Sequence, residues 1–177
     1  FIPLAEESGL IGALGTWALR EGLRAARALR CRGQLLAGSV ARVAINVSPV
    51  QLADADLVQT LMDVVLAEGG DPRWIELELT ESVQLAEDAS CLERLRQLRE
   101  LGFHLALDDF GAGYSSFSYL SRLYFERLKI DRALVQAAQH APERSAVTAS
   151  IIAMAHGLGL TVVAEGIETP AQRALLA

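Results

Sequence analysis

From residue 41 onward, short apolar runs alternate with stretches whose apolar residues recur at helical spacing, and no low-complexity linker separates them. The runs VARVAINVS (40–48), WIELELT (74–80), HLALDD (104–109), ERLKID (126–131) and LTVVAE (160–165) predict strands. Helical segments are expected around 54–68, 85–101, 116–123 and 143–157, with another beginning near Thr169. Gly33, Gly69, Gly102 and either Gly157 or Gly159 stand where helix C-terminal stops belong. Ahead of the first strand, GTWALREGLRAARALRCRG repeats its apolar residues at helical spacing, so the chain opens on a helix.

Alternating β and α units whose strands are apolar on both faces imply a parallel α/β sheet, either doubly wound or closed into a barrel. A doubly wound nucleotide fold would concentrate its signal in one glycine-rich turn after the first strand. Here every strand ends in something polar: Asn46, Glu78, Asp108 with Asp109, Lys129 with Asp131, and Glu165. Polar groups at the C-terminal ends of many successive strands are the signature of a (β/α)8 TIM-type barrel site. A closed barrel typically takes ~250 residues. Five βα units in 177 residues therefore predict a partial barrel, truncated at one or both ends.

Composition narrows the chemistry. The chain is 51% hydrophobic and 21% charged, which suits a single globular domain. Its formal net charge of -6 argues against polymeric nucleic acid as a partner, because phosphate-tracking surfaces are basic, but allows a small anion held by metal ions. No apolar run reaches the ~18 residues of a membrane span, and FIPLAEESGL lacks the regions of a signal peptide. Cys31 and Cys91 have no paired spacing. The expectation is a soluble, cytoplasmic domain with reduced, structural cysteines.

The strand ends carry the candidate chemistry. Alternation places Glu76 and Glu78 of WIELELT on one face and Leu77 and Leu79 on the other, so both carboxylates are expected on the barrel-axis side. Converging carboxylates repel one another and lose hydration, a cost commonly offset by bound cations. Oxygen ligands with one amide, from Asn46, suit Mg²⁺ or Mn²⁺ better than zinc. Lys129 could pair with a neighbouring carboxylate, hold a water, or steady charge building on a phosphate. For any single Asp, Asn or Glu the alternative is a helix cap or turn, and Glu81 followed by Ser82 could do no more than that. The glycines of DDFGAGYSS permit a tight loop, although GxG alone is a weak anion signal. His104, His140 and His156 show no ligand spacing. Trp17 and Trp74 fit core or rim packing better than base stacking.

NVSPVQL (46–52), ELTES (78–82), DDFGAGYSS (108–116), KIDR (129–132) and VVAEGIET (162–169) appear in the order and approximate spacing of EAL-domain cyclic di-GMP phosphodiesterases. FIPLAEESGLI resembles the family's segment ahead of its first long helix, so the resemblance covers essentially the whole chain, residues 1–177 as a single domain. It implies a (β/α)8 barrel that hydrolyses one phosphodiester of cyclic di-GMP to linear pGpG with two Mg²⁺ or Mn²⁺ ions. By resemblance, Asn46, Glu78 and Asp108 are ligands of the first metal, with Asp108 bridging. Asp109 binds the second metal, with Asp131 or Glu165 close by. Lys129 and Glu165 position the attacking water, Glu168 completes the polar end of its strand, and Glu81 anchors the loop after Asp109. A homodimer through that loop, fusion to regulatory or GGDEF-type domains, and a parent protein that can be membrane-anchored are further expectations of the resemblance.

The family's Glu-Ala-Leu motif on the first barrel strand and its C-terminal strand are absent from the 177 residues, which the resemblance reads as truncation at both ends. Ala112 stands where the family usually has Thr, and Tyr124 and Glu126 replace a common Pro and Asp. Two rival readings stand beside hydrolysis of cyclic di-GMP. Enolase-type barrels also gather acidic Mg²⁺ ligands and use a lysine base, but the tandem Asp108-Asp109, the strand-end Asn46 and the motif order argue against one. A catalytically inactive receptor or interaction module of EAL type is the other, disfavoured by the intact visible ligands.

Overall fold

A computed structural model describes residues 1–31, 42–80, 88–111, 124–140 and 142–176. Its strands form one sheet in chain order: β1 (Val43–Asn46), β2 (Ile75–Thr80), β3 (His104–Phe110), β4 (Arg127–Ile130) and β5 (Thr161–Ala164). The β1–β2, β3–β4 and β4–β5 pairs are parallel. Parallel neighbours need crossover connections, and helices intervene between successive strands wherever the connection is described. This is the repeating unit of a (β/α)8 barrel. The chain divides into two compact units, one of Phe1–Leu79 with Glu87–Leu105 and one of Thr80–Ala86 with Ala106–Ala177.

The first unit begins with the short α1 (Ile2–Glu7), none of whose residues is buried, and the long α2 (Ile11–Cys31). Leu19, Gly22, Leu23 and Ala26 repeat at helical spacing, form the buried face of α2, and pack it on β1 and on α4 (Leu57–Ala67). Gly22 lets α2 approach closely there: a Cβ would lie 2.8 Å from Ile45 Cδ1, and that side-chain end would have to shift. Leu23 is fully buried, so truncating it to Ala would cost about 2–5 kcal/mol. The helix expected over 54–68 is α4, and a short helix that was not expected precedes it. α3 (Pro49–Ala53) starts at Ser48, whose Oγ accepts from Gln51 N while Gln51 Oε1 accepts from Ser48 N, a reciprocal cap that the NVSPVQL motif contains. Asp54 then turns extended, and its Oδ1 accepts from Asp56 N just ahead of α4. α5 (Ala89–Glu100) starts at Asp88, which accepts from Ser90 N at 2.8 Å.

In the second unit, α7 (Pro142–Gly157) packs on β5 and on α6 (Arg132–His140), and α6 in turn meets α8 (Pro170–Leu176). α6 is absent from the expected elements. Val135 and Ala138 are buried on its apolar face, and its start is set by Asp131 Oδ1 accepting from Ala133 N at 2.7 Å. Gly69, Gly102 and Gly159 adopt positive φ as helix stops. The helix expected at 116–123, Gly33, residues 40–41 of the first strand, residues 85–87, and Ala112 lie outside the described residues. Trp74 is half-buried under the Arg30 guanidinium, 4.9 Å from its ring centre, whereas Trp17 is 59% exposed and not in the core. Both cysteines are free, Cys91 buried and Cys31 exposed. No helix among the described residues is long and apolar enough to cross a membrane.

Candidate functional site

In the first unit the sheet register sets Asn46, the last residue of β1, opposite Glu78 of β2, and Val47 N donates to Glu78 O at 2.9 Å. Glu76 and Glu78 are 3% and 7% exposed. Both sit two residues apart in a regular parallel strand and so project from one face. A buried carboxylate needs a counter-charge. Arg42, just before β1, brings Nη1 to 3.7 Å from Glu76 Oε2.

The second unit departs from regularity at its most acidic point. Ala106 and Leu107 pair with Arg127 and Leu128, but Phe110 pairs with Ile130, so Asp108 and Asp109 together face the single residue Lys129. That is a β-bulge, and Asp109 takes φ +54, the left-handed region that Asp tolerates better than most residues. In a regular strand adjacent side chains point to opposite faces. The bulge instead lets the carboxylates of Asp108, Asp109 and Glu165 converge, with oxygens within 4.8 Å of one another. Asp109 N also donates to Asp108 Oδ1 at 3.0 Å.

Lys129 is largely buried and holds two of the three acids. Its Nζ lies 2.9 Å from Asp108 Oδ1 and 2.7 Å from Glu165 Oε1. One ammonium cannot balance three carboxylates. Burial first, then the charges of Asp108, Asp131 and Glu165, hold the Asp109 carboxyl above its ordinary range, against the opposing pull of Lys129. Among the described residues this donor set, all carboxylate oxygen and short of positive charge, fits a hard divalent cation.

The remaining expected residues are placed as follows. Asp131 follows β4, and its Oδ1 is engaged by the α6 backbone. Glu165 follows β5, anchored by Glu165 N donating to Ile130 O at 3.0 Å. Glu168 lies between β5 and α8 and pairs with Arg132 at 2.6 Å. Glu81 lies outside the described residues. Asn46 and Glu78 are brought together in the first unit, and Asp108, Asp109, Lys129 and Glu165 in the second. Arg42 and Arg132 carry no motif of their own as charge partners, although Arg132 ends the KIDR stretch.

The sequence model described as EAL domain matches residues 1–177. The chain belongs to the EAL domain family. This EAL domain is 40% identical over 176 residues to the cyclic di-GMP phosphodiesterase NbdA of Pseudomonas aeruginosa, covering 99% of this chain and 22% of that protein. Among solved structures it resembles the PaMucR phosphodiesterase in complex with c-di-GMP, with a TM-score of 0.88, 38% identity, and 99% of this chain and 70% of that one covered. It also resembles Klebsiella pneumoniae BlrP1 in a manganese/cy-diGMP complex, with a TM-score of 0.70, 37% identity, and 89% and 41% covered. The chain spans about a fifth to a quarter of the length of the curated relatives it matches.

Proposed function

We propose that this EAL domain, within its complete chain, hydrolyses cyclic di-GMP to linear pGpG with Mg²⁺ or Mn²⁺. The observation that carries the reading is the bulged β3, which converges Asp108, Asp109 and Glu165 around Lys129 at adjacent strand ends. Phosphodiesterase names among the relatives, and the manganese and c-di-GMP of the similar structures, support it.

Asn46, Glu78 and Asp108 would hold one cation, with Asp108 shared, and Asp109 a second with the free oxygen of Asp131 or with Glu165 nearby. When bound, such ions neutralise the acids, acidify a water and stabilise charge on the phosphoryl oxygens. The protein's own part is positional. Lys129 fixes one oxygen of Glu165, which leaves Oε2 to accept a hydrogen bond from the attacking water and orient it at phosphorus. The water oxygen bonds to phosphorus and the bond to the 3′-oxygen breaks, the water's proton being relayed through Glu165 and the leaving oxygen ending protonated. Lys129 itself stays engaged with Asp108 and Glu165 and serves to position the second of these. The same reading takes the whole protein as cytoplasmic or membrane-anchored with this domain in the cytoplasm, able to pair as a homodimer. It also takes the domain as fused to regulatory or GGDEF-type domains, in keeping with the small share of its relatives that it spans.

A product assay on the full-length protein tests this. Linear pGpG is expected with Mg²⁺ or Mn²⁺ and none with chelator. Binding of cyclic di-GMP with no product under either condition would overturn hydrolysis in favour of a receptor.

A further inference from the structure

We infer that Arg132 is a positioning residue for Glu165, acting through the backbone of the segment between β5 and α8. The inference rests on the role of Glu165 proposed above. Arg132 begins α6, and its Nη2 meets Glu168 Oε1 at 2.6 Å. Both side chains are half exposed, and an ion pair of that kind contributes little by itself. Its stem sets it apart. Gly166, the residue after Glu165, has φ +66, and a Cβ there would lie 2.4 Å from Arg132 Cγ and 2.9 Å from its Cβ and Cδ. The arginine stem therefore runs against the Gly166 backbone, and its guanidinium closes on Glu168 beyond it.

The rest of this α6 face continues the grip. Gln136, one turn on, accepts from Arg132 Nε at 2.8 Å and Nη2 at 3.2 Å in the amide orientation that satisfies both groups, which fixes the guanidinium plane. Gln139, a further turn on, accepts from Gln172 Nε2 at 3.2 Å, while Gln172 Oε1 accepts from the backbone N–H of Glu168 at 2.7 Å and of Thr169 at 3.0 Å. Arg132, Gln136 and Gln139 thus hold the segment that carries Glu165 at its head. On the other side, Glu165 is fixed by Lys129 at its carboxylate and by Ile130 O at its amide. With the guanidinium contacts removed, the Glu165 carboxylate keeps its partner, but the stem at 132 is no longer pinned against the Gly166 backbone.

The test is made in the full-length protein. Arg132→Met keeps a stem and removes the charge; it is expected to lower kcat roughly 10-fold, a fraction of the ~10²-fold that a 1 Å misplacement costs, with KM for cyclic di-GMP little changed. Hydrogen exchange at the Gly166–Thr169 amides is expected to quicken in the same variant without substrate or metal. Arg132→Lys, which keeps stem and charge but not the fork held by Gln136, should lose less kcat than Arg132→Met, and the charge swap Arg132→Glu with Glu168→Arg should recover part of the kcat lost by Arg132→Glu alone. Unchanged kcat in Arg132→Met, unchanged exchange over 166–169, or a swap no better than its parent would each overturn the inference. Glu165→Gln is measured alongside. Full turnover in that variant would sink the role of Glu165 itself, whereas loss there with no effect of Arg132→Met removes only the positioning role.

Discussion

Glu76 and Glu78 share a face of β2 because two residues separate them, whereas Asp108 and Asp109 are adjacent and converge only because β3 breaks its pleat opposite Lys129. The first arrangement asks nothing unusual of the backbone. The second holds a non-glycine residue at φ +54, a cost on the order of 1–2 kcal/mol. Their counter-charges differ as well. Arg42 stands 3.7 Å from Glu76, while Lys129 is in direct contact with both Asp108 and Glu165 at 2.9 and 2.7 Å. Backbone strain and surplus negative charge coincide at the bulge. That coincidence makes β3, more than β2, the strand at which substitution should tell most on the proposed chemistry.

The largest expected effect separates the two regions by activity. Asp108→Ala and Glu165→Ala should each abolish turnover of cyclic di-GMP, a fall of at least ~10²–10³-fold in kcat, while Glu76→Gln should leave product formation near wild type. Equal losses at Glu76 and Asp108 in a steady-state assay would erase the distinction. Next in size is stability: Glu76→Ala leaves the Arg42 guanidinium without that carboxylate. Removing one partner of a fully buried pair costs about 3–5 kcal/mol, but Arg42 keeps some solvent, so about 1–3 kcal/mol is expected from urea denaturation.

The bulge itself can be probed with glycine. Asp109→Gly relieves the left-handed strain and removes a crowded acid, so the metal-free protein should gain roughly 1 kcal/mol. Its thermal shift on adding Mn²⁺ should shrink, because a ligand has been lost. A destabilised Asp109→Gly protein would show that the bulge is not strained.

The smallest effect is one of pH. The folded-state pKa of Asp109 lies above its unfolded value, so the folded metal-free protein binds more protons between the two, and its contribution to stability falls as pH rises through that window. Asp109→Asn should therefore be more stable than wild type at neutral pH. The gap should close as pH falls toward the ordinary carboxylate value of ~3.9. Urea midpoints of both proteins across that range check the sign, and a gap that widens on acidification would refute it.

Much of this was open to reading in the chain. The β2 carboxylates follow from alternation alone, and the strand-end residues stand out because polar groups interrupt apolar runs at regular intervals. The motif order carries family membership. Where the reading stopped short, the missing information was non-local or small in scale. α6 escaped because RALVQAAQH is only nine residues long, too short for its one-sided apolar pattern to stand out, and its start depends on Asp131, a residue that read as a metal ligand and also caps the helix. α3 escaped because PVQLA is only five residues long and is closed off at once by Asp54, which turns extended.

By itself the sequence determined the succession of strands and helices, the acids at the strand ends and the EAL family, since periodicity and motifs are properties of residues close together in the chain. Tertiary structure alone decided that Asp109 turns to meet Asp108, that one lysine holds Asp108 and Glu165 together, and that Arg132 reaches Glu168 across 36 positions. Those outcomes depend on strand register and on which helix face meets which loop. Register is fixed by the packing of whole strands and helices, so no local stretch of sequence contains it.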